Sequence, residues 1–162
     1  MPTPTYDLIA STVLSSSAAS INFSSISSSY RDLVLVCDNP SSSNLGLEVR
    51  VNGNTGANYN GVRMWGDGGS FDSDTSLAAT RFDSLYLNRF TQNSTFFLHL
   101  MDYAVTDKHK SMLYGLNTAS SQVIRGALRW ASTSAINEIN LIAFDSNNYP
   151  AGFTAYLYGI VS

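Results

Sequence analysis

At 162 residues the chain is long enough for one domain that buries roughly two-thirds of its unfolded surface, so folding requires neither a metal nor a disulfide. Charged residues make up 13% of it, about half the ordinary ~25%, and Ser, Thr and Asn take their place. That exchange suits strands and turns and disfavours long exposed helices. A formal net charge of −3, with nine scattered Lys and Arg, excludes a phosphate-backbone partner, so no nucleic acid is expected.

In chain order, Met1 to Thr5 is a short arm stiffened by Pro2 and Pro4, and residues 6–162 are expected to form one domain. It carries neither the charged start nor the apolar run of a signal peptide, and no later apolar run approaches the ~18 residues that cross a bilayer. No membrane partner is therefore expected. Tyr6 to Thr12 and Ser20 to Ser24 are the first predicted strands, the second with Ile21 and Phe23 on one face. Leu33 to Cys37 is a continuous apolar run with β-branched members, the pattern of a strand covered on both faces. In Leu47-Glu48-Val49-Arg50-Val51 the period is two, which predicts the three aliphatic residues in the core and Glu48 and Arg50 in water.

Asn52-Gly53-Asn54-Thr55-Gly56 reverses the chain, because Asn and Gly tolerate positive φ, and Tyr59 to Trp65 returns as a strand. Gly66 to Thr80, with three glycines and three aspartates, is predicted as a long irregular loop. Only Ser76 to Ser84 approaches helical spacing. Leu85 to Phe90, Thr95 to Met101, Met112 to Leu116, Val123 to Ala131, Ile136 to Phe144 and Phe153 to Val161 complete the strands. Thr95 to Met101 is expected to pair with Met112 to Leu116 across the Asp107-Lys108-His109 turn. About nine or ten short strands at such spacing predict an all-β, jelly-roll-like antiparallel β-sandwich.

Groups able to do chemistry lack partners in this sequence. Cys37, the only cysteine, ends an apolar run and reads as a small buried hydrophobe. The two histidines, His99 and His109, sit in a strand and a turn, outside any nucleophile elbow. Glu48 and Glu138, the two glutamates, both fall on outward strand positions. Catalytic residues are therefore none, and no cofactor is expected. Asp67, Asp72 and Asp74 form a calcium candidate, since Gly66, Gly68 and Gly69 permit tight wrapping, but the spacing and the bidentate Glu of an EF-hand are missing. Tyr59, Trp65, Tyr86, Tyr149 and Tyr156 have flat faces suited to sugars or to core filling. Tyr149 is the candidate for exposure, since Asn147-Asn148-Tyr149-Pro150 is a turn. Lys108-His109-Lys110 reads as a solvated basic turn.

Several blocks taken together resemble a β-sandwich domain of tailed-bacteriophage virion proteins. They are Tyr6-Asp7-Leu8-Ile9-Ala10-Ser11-Thr12, Ser15 to Phe23, Tyr30 to Val36, Val49 to Tyr59 and Ala155-Tyr156-Leu157-Tyr158-Gly159-Ile160. The resemblance implies a structural module. Its first form is a capsid decoration (cement) protein on the major capsid protein, made in the host cytoplasm and placed on the virion. Its alternative is a tail or fibre module that recognises host-surface carbohydrate. It also implies a homo-oligomer, with trimers at symmetry axes. The interface candidates are Pro2, Pro4, Tyr6, Trp65, Lys108, His109, Lys110, Tyr149 and Pro150.

Overall fold

The computed structural model describes residues 4–40, 45–82, 94–117, 122–144 and 147–161. Eleven strands run through them: β1 (Tyr6–Val13), β2 (Ser20–Phe23), β3 (Asp32–Asn39), β4 (Leu47–Val51), β5 (Tyr59–Gly66), β6 (Phe71–Ala79), β7 (Ser94–Met101), β8 (Lys110–Asn117), β9 (Val123–Trp130), β10 (Ile139–Ala143) and β11 (Thr154–Ile160). Eight form one antiparallel sheet in the order β1-β11-β3-β7-β8-β9-β5-β6, and three form a second in the order β2-β10-β4. The fold is the expected all-β, jelly-roll-like sandwich.

Alternation builds the core between the sheets. Leu33, Leu35 and Cys37 of β3, Phe96, Leu98 and Leu100 of β7, and Met112, Tyr114 and Leu116 of β8 are buried on the inner face of the large sheet. Ile21, Phe23, Leu47, Val49, Val51, Ile139 and Leu141 answer them from the small sheet. Pairing of β7 with β8 follows the expected register, with Phe96 opposite Leu116 and Leu100 opposite Met112. Two glycines make this packing possible. A Cβ on Gly126 would strike the ring of Tyr114 inside the sandwich, and one on Gly115 would strike Phe97 outside it.

The Asn52-Gly53 reversal has the expected positive φ at both residues, 52° and 59°. It does not close a hairpin, however: β4 lies in the small sheet and β5 in the large one, so the turn carries the chain between layers.

Several expectations are corrected. The predicted loop Gly66 to Thr80 holds β6, which pairs with β5 from Gly66 opposite Phe71 to Gly61 opposite Ser76. This strand is almost wholly exposed, so it has no buried apolar row to betray it, and the weak helical spacing that begins at Ser76 does not become a helix over its described residues, Ser76 to Phe82. Glu48, expected in water, is 3% exposed and forms an ion pair with Arg81, Nε to Oε1 2.7 Å, without an aligned hydrogen bond. Lys110, expected in a solvated turn, is 1% exposed. Its ammonium donates to the carbonyls of Val105, of Lys108 (3.0 Å) and of Thr133 (3.1 Å), so a buried charge is met by three acceptors. Tyr149, expected at the surface, is fully buried and stacks on Phe153 with ring centroids 4.4 Å apart. Asn147 and Asn148 are exposed, but the Tyr149 backbone bridges to Ala18 and draws the ring inward. The predicted strand Leu85 to Phe90, with Tyr86, lies outside the described residues.

Candidate contact surface

One half of the large sheet presents an apolar outer face. Along β8, β9, β5 and β6, alternate residues face away from the small sheet, and register brings them into rows. Leu113, Ala127, Val62 and Thr75 lie side by side across four strands. Next to them run Gly115, Arg125, Met64 and Ser73, and beyond those Asn117, Val123, Gly66 and Phe71. The apolar members are uncovered: Phe71 is 82% exposed, Leu77 77%, Met64 61%, Val123 51%. Val62, Thr75, Leu77, Leu113 and Ala127 line a shallow groove of about 380 Å³ between them.

Charge on this face has one sign. Arg125 and Arg129 rise from β9, and no outward residue of the four strands is a carboxylate. Arg125 lies over the Phe97 ring, 5.5 Å from its centroid, while Arg129 brings Nη2 and Nε to 2.8 and 3.3 Å from His109 Nδ1. The aspartates of β6 point the other way. Asp74 is held by Arg63 through Nε at 2.9 Å and Nη2 at 2.5 Å, on the inner side of the sheet.

That inner side carries a notch of about 120 Å³ lined by Arg63, Trp65, Asp72, Asp74, Gln122 and Ile124. Its volume falls below the roughly 300–1,000 Å³ of ordinary small-molecule pockets. Trp65 is half-buried there and packs against the core.

The expected site residues are dispersed. Asp67 Oδ1 accepts the Gly69 and Ser70 amides at 3.0 and 2.8 Å, Asp72 Oδ1 accepts the Ser73 amide at 2.7 Å, and Asp74 is committed to Arg63. The three calcium candidates thus each serve a separate local contact. No group of three His, Cys, Asp or Glu among the described residues is placed to hold a metal ion. Pro4, Tyr6, Lys108 and His109 are exposed and Pro150 is half-buried, while Pro2 lies outside the described residues. Lys108 donates to Asp102 Oδ2 at 2.7 Å. Of the interface candidates, His109 lies beside Arg129 of the outer face, Trp65 lies on the opposite, inner side of β5, and Lys110 and Tyr149 belong to the interior.

Groups able to do chemistry are likewise engaged. His99 Nε2 is 3.3 Å from Asp32 Oδ2, the satisfied ring expected for a strand histidine. Cys37 is buried, and burial pushes its thiol far above the ordinary range. Tyr59 is buried with its hydroxyl donating to the Asn54 carbonyl at 3.0 Å, and Tyr156 stacks on Tyr158 with centroids 6.4 Å apart. Sequence reading missed the outward rows because apolar residues occur on both faces of β5 and β8. Parity alone does not say which face is covered.

No protein-family model matches this chain, and no curated protein matches it. Solved structures give distant likenesses. The galectin LEC-6 of Caenorhabditis elegans aligns over 94% of this chain and 96% of its own, at 9% identity and a TM-score of 0.39. Exo-inulinase from Aspergillus awamori aligns over 96% of this chain and 29% of its own, at 12% identity and a TM-score of 0.46. For the alginate lyase Aly36B the figures are 93% and 76%, 13% and 0.33. Likenesses this distant carry nothing about ligand or activity.

Proposed function

We propose that this chain is a non-catalytic contact protein that binds a protein surface through the outer face of β8, β9, β5 and β6. The observation that carries this reading is the row of Leu113, Ala127, Val62 and Thr75, flanked by exposed Met64, Phe71, Leu77 and Val123. An uncovered apolar patch on a water-facing sheet marks an interaction site, because burying it against a partner releases ordered water and stabilises the complex. The cations Arg125 and Arg129 beside it favour a partner with an apolar centre and an acidic rim. In line with the sequence resemblance, that partner is the major capsid protein of a tailed phage, and the chain is a capsid decoration protein.

The test is attachment to undecorated heads. Wild-type chain should saturate them at near-stoichiometric copy number, and Val62→Asp with Leu113→Asp should abolish attachment while leaving the circular dichroism spectrum unchanged. Attachment that ignores both substitutions, or a few copies confined to the tail tip, overturns the reading.

The second reading is carbohydrate recognition by a tail or fibre module, and the Trp65 notch favours it through one aromatic ring among Arg63, Asp72, Asp74 and Gln122. It requires glycan binding that is lost in Trp65→Ala and retained in Val62→Asp.

A further inference from the structure

We infer that one end of the adjacent strands β11, β3 and β7 holds a socket for a primary ammonium on an alkyl stem, the chemistry of a lysine side chain. The inference is independent of what the apolar rows bind. Register puts three oxygen-bearing side chains in line on the outer face of the large sheet. Thr154 of β11 stands opposite Asp38 of β3, and Asp38 opposite Thr95 of β7. They line a cavity of about 300 Å³, with Pro40 and Gly152 adjoining each other in its wall. Gly152 has a φ of 82°, and a Cβ there would lie 3.4 Å from the Pro40 ring. Asn39 and Ser94 complete the lining; both are buried and have contacts of their own.

The groups open to a ligand are acceptors. Thr95 donates its hydroxyl proton to Asp38 Oδ1 at 2.7 Å, which leaves only lone pairs on its oxygen for a ligand. The other oxygen of Asp38 has no hydrogen-bond partner among the described residues, and no Lys, Arg or His lines the cavity. Asp32, Asp74 and Asp102 differ, for each has a cation of its own. An anion would meet an uncompensated carboxylate here, whereas a cation is attracted by it. Between cations, the acceptor set selects ammonium. Its three donors match Asp38, Thr95 and Thr154 one to one, and its charge is compact. A guanidinium would seek both carboxylate oxygens at once, and the Thr95 hydroxyl already occupies one. Calcium would want about six to eight oxygens, and the cavity offers a single carboxylate. The Pro40 ring supplies apolar surface along which a methylene stem can lie.

Amide shifts of the isotope-labelled whole chain, followed by NMR during titration, test this. Nα-acetyl-lysinamide should move the Asp38, Thr95 and Thr154 amides saturably, and so should butylammonium, which carries the same group on a free stem. Binding of the lysine compound assigns the socket to a lysine of a partner protein, and binding of butylammonium alone assigns it to a free amine; either result supports the inference. Nα,Nε-diacetyl-lysinamide, with the same stem but no charge, should give no saturable shift. Asp38→Asn keeps an oxygen for the Thr95 hydroxyl, so it should leave the thermal melt unchanged while raising the Kd by about tenfold or more. No saturable shift with either amine overturns the inference. So does an equal response to the diacetyl compound, tighter binding of Nα-acetyl-argininamide or calcium chloride at the same residues, or affinity that survives Asp38→Asn.

Discussion

Asp32 accepts the backbone amide of Asp102 on Oδ1 at 2.8 Å, tying the start of β3 to the turn that follows β7. Its other oxygen takes Arg31 Nη2 at 3.0 Å and stands 3.3 Å from His99 Nε2. Burial by itself would raise the pKa of this carboxyl. The Asp102 amide, Arg31 and His99 outweigh it and hold the group below its ordinary value. A depressed folded-state pKa means the unfolded chain takes up the proton first, so this stabilisation is complete above the ordinary carboxylate pKa. It is lost as pH falls from there through the lowered value. Denaturant titrations across that window should show stability falling with pH. Asp32→Asn should flatten the fall and cost about 1–3 kcal/mol at neutral pH.

Lys110 tests whether a basic residue can be structural. Its ammonium is buried against the carbonyls of Val105, Lys108 and Thr133. Lys110→Met keeps the stem but strands three acceptors, and should cost about 2–4 kcal/mol in equilibrium unfolding. Lys108→Met, two residues away and exposed, should leave the unfolding midpoint unchanged.

Tyr149 separates packing from recognition. Its ring is fully buried and its hydroxyl has no hydrogen-bond partner among the described residues. Tyr149→Phe should therefore be neutral or slightly stabilising, and Tyr149→Ala should cost about 3–5 kcal/mol by leaving a cavity beside Phe153. Melting temperatures of the two variants check this, and a large loss in Tyr149→Phe would contradict it.

At Gly126 the Tyr114 ring occupies the space a side chain would need, its Oη 2.7 Å from an ideal Cβ. Gly126→Ala should cost about 1–3 kcal/mol through overpacking, with no effect of charge or pH. Gly68, with open space around it but a φ of 87°, should lose stability on substitution by Ala through backbone strain alone.

Much of the fold was legible because strand burial is periodic. Leu47–Val51 was read with its final boundaries, and the pairing of β7 with β8 followed from two apolar runs and a turn between them. Lys110 and Tyr149 were not legible. Each stands next to turn residues that are exposed, and only long-range partners, the Thr133 carbonyl for one and the Ala18 bridge for the other, draw them inside. Strand β6 escaped for the opposite reason. A strand exposed on both faces buries no row of side chains, so no alternation marks it.

By itself the sequence determined the fold class, the low charge, and the isolation of Cys37 and His99 from any catalytic partner nearby in the chain. These follow from composition and from period-two burial, which act over a few residues. Tertiary structure alone decided which of two apolar faces is covered. The small sheet has only three strands against eight, and its buried side chains meet one face of the larger sheet. Leu113, Ala127, Val62 and Thr75 are left side by side on the other. Such a row exists only because β5 with β6 and β8 with β9, two consecutive pairs distant from each other in sequence, come into register through β5 and β9, and it is the surface on which the proposed contact rests.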